Sequence, residues 1–329
     1  MPSLATTYLG LSLKNPIVAS SCPLTSELKT ARALEEAGVG ALVVRSIFEE
    51  QIRDEVAHMY AALEEAGSSA ALDYLRADLP MRLGPEKYIE NLKVLRRELK
   101  IPIIASVNCI APDQWVKFAR KIESTGVDAL ELNVYDIPDT PTVNSAAIEQ
   151  RHTELVEAIR AEVSLPIAVK LSPYYTGLAN VACRMNRLGV KGLVLFNRFL
   201  QPDIAINTLE LDYHPHLSTP ANLLLPLRWV AILRDMVDCD LGLSSGVHDA
   251  GAAIKALLAG ANSVYCCSVL YREPVGSAVP AILKGIEKWM AEKGFGTIDD
   301  FRGKMRETVL GDGHGFERAH YVRLVTKAE

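Results

Sequence analysis

The chain alternates short, mainly apolar runs with longer amphipathic ones. Eight of the short runs read as buried strands: Ile17–Ser20, Ala41–Ser46, Pro102–Val107, Ala129–Asn133, Pro166–Leu171, Gly192–Asn197, Asp240–Gly246 and Ser263–Ser268. Apolar residues on consecutive positions are what strands covered on both faces require. Most are separated by stretches with helical spacing, among them Glu27–Ala37, Pro112–Ser124, His152–Glu162, Leu178–Leu188 and Asp249–Leu258. Asp249 is the predicted N-cap of the last. One fragment recurs four times, as Glu36–Val43, Ser124–Glu131, Arg187–Val194 and Leu258–Tyr265. Each copy predicts a helix that ends on a left-handed glycine, a tight turn and a buried strand.

Eight such units predict an α/β fold of the TIM (β/α)8 type rather than a doubly wound sheet. No G-x-G-x-x-G follows any strand, which argues against a nicotinamide-binding first turn. Residues 5–14 predict a small N-terminal hairpin that plugs the barrel bottom. Residues 47–100 form an insertion after strand two, helical at both ends, and residues 198–226 a Pro-rich insertion after strand six. Insertions after barrel strands lie on the catalytic face. The tail from about Met290 is predicted to be helical and peripheral. The expected organisation is one domain over 1–329 with its core at about 15–290, since no linker divides the chain.

Polar groups gather where these strands end. Taken in order the ends are Ser20-Ser21, Arg45-Ser46, Asn108, Asn133, Lys170, Asn197, Ser245-Gly246 and Cys267-Ser268. Ala129–Leu132 runs into Asn133 and then Asp136, and unpartnered burial of such groups costs about 1–3 kcal/mol, so a site is expected to open there. A plain turn role for Asn133 and Asp136 is the other reading. Lys170 interrupts an apolar strand; lysine is buried only when paired, and an anionic ligand is the expected partner in preference to a structural salt bridge. The loops carrying Ser245, Gly246, Cys267 and Ser268 occupy the usual phosphate position of such barrels.

Composition narrows the partners. A net charge of −5 without a basic stripe argues against nucleic acid. No apolar run approaches the roughly 18 residues of a membrane span, and Met1–Ala5 lacks the start of a signal peptide. The six cysteines are scattered without a C-x-x-C pair. That pattern argues against zinc, a disulfide framework or a cluster of the chain's own, so no metal is expected, and it fits a reducing cytoplasm.

Taken together, Asn15-Pro-Ile-Val-Ala-Ser-Ser, Ala129-Leu-Glu-Leu-Asn133, Ala168-Val-Lys170-Leu-Ser-Pro173 and Ala250 through Val264 resemble the class 1, FMN-dependent dihydroorotate dehydrogenases. The resemblance implies FMN held by Ser20, Ser21, Ser46, Asn133 and Lys170, with Ser245, Gly246, Cys267 and Ser268 around its phosphate. It implies that Arg45 and Asn197 bind substrate. The family's Asn-x-Ser-Cys-Pro-Asn, whose cysteine is the base, reads here Asn133-Val-Tyr135-Asp136-Ile-Pro138. Asp136 therefore stands in the position of the base, and a turn residue in a site with other chemistry is the alternative. The resemblance further implies a homodimer, and an iron–sulfur flavoprotein as a possible electron-transfer partner. The implied reaction is oxidation of dihydroorotate, a step of pyrimidine biosynthesis, or of a related small CH–CH substrate. Two rivals remain open: an FMN-bearing subunit with another role, and a flavin-free, phosphate-binding lyase using Lys170 as Schiff-base nucleophile.

Overall fold

The computed structural model describes residues 2–48, 84–109, 112–134, 140–198, 203–212, 217–274, 276–306 and 326. An antiparallel hairpin opens the chain, β1 (Thr6–Tyr8) against β2 (Leu11–Leu13), with Thr6 opposite Leu13. Parallel strands β3 (Ile17–Ala19) and β4 (Ala41–Val43) follow, then a two-residue β5 (Ile47–Phe48), β6 (Ile103–Cys109), β7 (Ala129–Val134), β8 (Ile167–Leu171) and β9 (Gly192–Leu195). A second hairpin, β10 (Asp203–Ala205) and β11 (Glu210–Asp212), precedes β12 (Asp240–Ser244) and β13 (Ser263–Cys266). β13 pairs back onto β3 and β4 onto β6, so the eight strands β3, β4, β6 to β9, β12 and β13 close into a barrel. The predicted TIM (β/α)8 architecture is the observed one.

The helices are α1 (Leu28–Glu36), α2 (Gly84–Glu98), α3 (Pro112–Glu123), α4 (Ser145–Glu162), α5 (Leu178–Arg187), α6 (Leu224–Leu233), α7 (Ala250–Ala259), α8 (Ser268–Arg272) and α9 (Ala278–Lys293). Asp249 caps α7 by accepting from the Ala252 N–H at 2.8 Å. Asn144 caps α4 through the Ala147 N–H. α4 therefore starts at Ser145, ahead of the predicted His152.

Alternation along the strands builds two concentric cores. Outward side chains such as Leu42, Ile103, Leu130, Val169, Leu193 and Leu241 pack under the helices. Inward ones, including Val18, Ile104, Ala168, Val194 and Tyr265, meet Tyr8, Leu9 and Leu13 of the first hairpin. That hairpin fills the barrel bottom, as its position in the chain predicts. Leu9 holds a left-handed backbone at φ 55°, which costs a leucine roughly 1–2 kcal/mol. Burying its side chain, worth about 1.5–3 kcal/mol, offsets that cost. Its N–H donates to the Asp240 carboxylate at 2.7 Å, and the Tyr8 and Tyr265 hydroxyls lie 2.9 Å apart. Glycine leaves room for the plug here: a Cβ on Gly192 would sit 2.6 Å from Leu9 Cδ2.

Two expectations need correction. Beyond α9 the chain turns at Gly294 and enters a 3-10 turn, Ile298–Asp300, with Ile298 and Phe301 fully buried. Phe301 packs against Trp289 and Phe295, and Thr297 bridges to Ser3. After α9 ends at Lys293, the tail through residue 306 holds a single 3-10 turn and is not peripheral; its aromatic residues seal the core beside the N-terminus. The insertion after β4 ends in a helix, α2, but begins with β5, which pairs with β6. Residues 49–83 lie outside the described residues.

Replacing Gly192 with alanine is expected to lower stability by about 1–3 kcal/mol through overpacking against Leu9. In urea denaturation the Gly192→Ala, Leu9→Ala pair should cost less than the two single changes summed. Strict additivity would show that Leu9 does not occupy that space.

Candidate active site

The same alternation that buries apolar side chains low in the barrel puts polar ones inward near the strand ends. β6 contributes Ser106 and Asn108, β7 Glu131 and Asn133, β8 Lys170. Ser106 lies opposite Glu131, Asn108 opposite Asn133, and Asn133 opposite Lys170. A polar layer therefore sits directly on the plugged apolar one.

Its hydrogen bonds run across several strand ends. Ser21 Oγ lies 3.1 Å from Ser46 Oγ, and Ser46 Oγ 2.7 Å from Ser106 Oγ. Ser106 Oγ donates to Glu131 Oε1 at 3.4 Å. The Tyr88 hydroxyl of α2 fixes Ser106 by accepting its N–H at 2.9 Å and donating to its carbonyl at 2.8 Å. Lys170 Nζ lies 3.8 Å from Glu131 Oε1 and 5.8 Å from the Tyr265 ring centroid. Burial drives the Tyr265 hydroxyl well above the usual phenol range, and the neighbouring Tyr8 and Glu131 add to it. The partner expected for Lys170 was a ligand; the fold supplies a carboxylate of its own. The Asn133 Oδ1 is buried with no hydrogen-bond partner among the described residues.

Above this layer opens a cleft of about 230 Å³. Of the residues singled out in the sequence, Ser20, Ser21, Lys170, Asn197, Ser245, Gly246, Cys267 and Ser268 line it. Ser46 is buried behind Ser21, and Asn133 sits beside Lys170. Arg45 is exposed and not among the lining residues. Asp136 lies outside the described residues. Gly246 has a stricter reason than ligand access: at φ 73° its missing Cβ would fall 2.2 Å from the Leu223 nitrogen, so the backbone of the second insertion presses on it.

Several cleft residues carry no sequence signal of their own. Ser218 donates its N–H to Ser268 Oγ at 2.9 Å and places its hydroxyl 3.1 Å from His248 Nε2. Burial holds the His248 imidazole below its ordinary range. Cys266 is packed in the outer core, whereas Cys267 faces the cleft and Cys22. A hydrogen bond from the Cys267 thiol pulls the Cys22 thiol well below the free range, against desolvation, helped by the Tyr271 hydroxyl and the Leu24 and Thr25 N–H groups. Glu131, Ser106 and Tyr265 were likewise missed; their only signal is a polar or hydroxyl group at an inward position of an apolar strand.

A family model described as dihydroorotate dehydrogenase matches residues 3–290. The chain belongs to the dihydroorotate dehydrogenase family. Its similarity to curated members extends over nearly their whole length. It is 26% identical over 309 residues to the catalytic subunit of dihydroorotate dehydrogenase B (NAD(+)) of Methanothermobacter thermautotrophicus, covering 91% of this chain and 97% of that one. It is 27% identical over 310 residues to dihydroorotate dehydrogenase A (fumarate) of Lactobacillus delbrueckii subsp. bulgaricus, covering 90% and 96%. Dihydroorotate dehydrogenase family enzymes are flavin-dependent oxidoreductases. The site fits a flavin chemically: an orphaned amide oxygen next to a lysine matches a ring edge that carries both N–H and carbonyl groups. Among the described residues no helix is long and apolar enough to cross a membrane, and no group of three or more metal-ligating side chains occurs.

The thiol pair gives a direct test. Ultraviolet titration should show one thiolate forming below the free-thiol pKa of about 8.5. Cys22→Ser should abolish that step and Cys267→Ser should move it upward. Because the folded value is depressed, the thiolate's stabilising contribution is complete above the free value and is lost as pH falls through the folded one. A protein whose cysteines all titrate in the ordinary range would refute the pairing.

Proposed function

We infer that this protein is an FMN-dependent oxidoreductase that oxidises dihydroorotate to orotate, or a closely related small CH–CH substrate. The observation that carries the reading is the buried Asn133 oxygen beside Lys170 at the floor of a cleft rimmed by Ser20, Ser21, Ser245 and Gly246. FMN, when bound, supplies a two-electron acceptor. Lys170 offers a positive charge to the pyrimidine edge of its ring, and Asn133 accepts the ring N–H. Ser20, Ser21 and Ser46 support the ring's other contacts. Ser245, Gly246, Cys267 and Ser268 hold the phosphate with main-chain N–H groups and hydroxyls.

For the substrate, Asn197 and Arg45 are the proposed binding residues, Arg45 as the cation for a carboxylate. Asp136 is the proposed base. An aspartate is ionised at neutral pH but intrinsically weak, with an unperturbed pKa of about 3.9, so it acts as a base only where burial raises it. The missing cysteine at that position supports a related substrate as the second reading.

We further read the chain as a single FMN-binding domain over 1–329 that works as a cytoplasmic homodimer. The β10–β11 hairpin leaves Ile204, Ile206, Leu209 and Leu211 exposed, and apolar patches of this kind mark protein contacts. Its six cysteines include no C-x-x-C pair, and we read it as passing electrons to an outside acceptor. An iron–sulfur flavoprotein is one candidate, consistent with relatives named as catalytic subunits.

The first test is the visible spectrum of the purified protein without oxygen, before and after dihydroorotate. A yellow protein that bleaches supports the full reading, and Asp136→Asn should then slow bleaching about 100-fold or more, the scale of a lost general base. A yellow protein that stays oxidised keeps the cofactor and removes dihydroorotate. A colourless protein that refuses added FMN overturns the reading.

A further inference from the structure

Glu131 has no task in the reaction described above, yet it sits fully buried within the site. It is fully buried on β7, with Oε1 shared between Lys170 Nζ at 3.8 Å and Ser106 Oγ at 3.4 Å. Its second oxygen, Oε2, is buried without a hydrogen-bond partner among the described residues. Replacing a buried ion pair by apolar residues of the same shape is often neutral or stabilising, so stability alone does not account for a pair kept at this depth.

What Glu131 does supply is a negative charge on the far side of Lys170 from the cleft. Its pairing partner lines the cleft; Glu131 does not. A ligand above the layer therefore meets a lysine whose field is opposed from beneath. That geometry matters most for a cofactor whose charge changes during turnover. Two-electron reduction puts negative charge on the flavin's pyrimidine edge, and a cation there stabilises the reduced form. A carboxylate behind that cation weakens the stabilisation, strongly so where little water screens it.

We propose that Glu131 is a positioning residue that opposes the charge of Lys170 and so holds down the reduction potential of FMN bound above it. The inference rests on the FMN reading of the cleft. Glu131 itself exchanges neither electron nor proton in this role; the electrons come from the substrate and remain on the cofactor.

The test is a redox titration of the flavin-loaded protein against a reference dye. Glu131→Gln keeps the size of the side chain and removes its charge. It should raise the affinity for reduced over oxidised FMN about tenfold, which for a two-electron couple is an upward shift of about 30 mV. Glu131→Asp, which withdraws the carboxylate, should shift the potential in the same direction by less, and it serves where Glu131→Gln fails to fold. A merely structural Glu131 would lower the melting temperature and leave the potential alone. An unmoved potential in flavin-loaded Glu131→Gln, or in flavin-loaded Glu131→Asp where that variant stands in, overturns this inference and leaves the FMN reading intact. A wild-type protein that takes up no FMN overturns the FMN reading and this inference with it.

Discussion

A lysine and a glutamate buried inside a barrel of parallel strands constrain everything around them. Taking two such ions out of water carries an effective penalty of several kcal/mol each. The structure meets it with geometry rather than with solvent. Ser106, itself clamped by Tyr88, donates to Glu131, and the face of Tyr265 covers Lys170. Each of these groups needs an exact strand register, because a slip of one residue would turn Glu131 and Lys170 out into the apolar helical layer.

The layer beneath has to be dry for the same reason. Tyr8 and Leu9 enter from outside the barrel and occupy the space that small inward residues leave open. Water at that level would screen the pair and rob it of influence on anything above. The upper boundary is made differently, from serines and a glycine whose small size lets loops close over one another, with Gly246 under the Leu223 backbone as the tightest point. A plugged floor and a permissive rim are how one barrel can be both rigid and open to a ligand.

Much of this was legible in the chain. The eight strands could be read because parallel strands buried on both faces leave mainly apolar runs, and Lys170 stood out as a cation inside one of them. Ser20, Ser21, Asn197, Ser245, Gly246, Cys267 and Ser268 could be placed because barrel strands all deliver their ends to one rim. Glu131 was hidden by the opposite circumstance: it sits in a strand read as ending in a polar site two residues later, so its own polarity passed as part of that ending. Ser106 and Tyr265 are ordinary strand residues until the inward face is known. Cys22 escaped notice because its partner, Cys267, comes from the opposite end of the chain. The tail misled for a physical reason too, since Ile298 and Phe301 lie in turns and carry no helical period, yet fill space at the N-terminus.

The bond between the Tyr8 and Tyr265 hydroxyls joins residues 257 positions apart, and it has a consequence for how the molecule is made. The plug precedes every barrel strand in the chain, and the strand it must meet is the last of the barrel. Local helix–strand units can form along the way, but the inner core has no floor until the final strand arrives. Contacts of such separation are slow to close, because loop entropy is lost before they return any stability. The polar layer should therefore be the last region to become dry, and a nascent or truncated chain ending before β13 would carry its buried charges in contact with water.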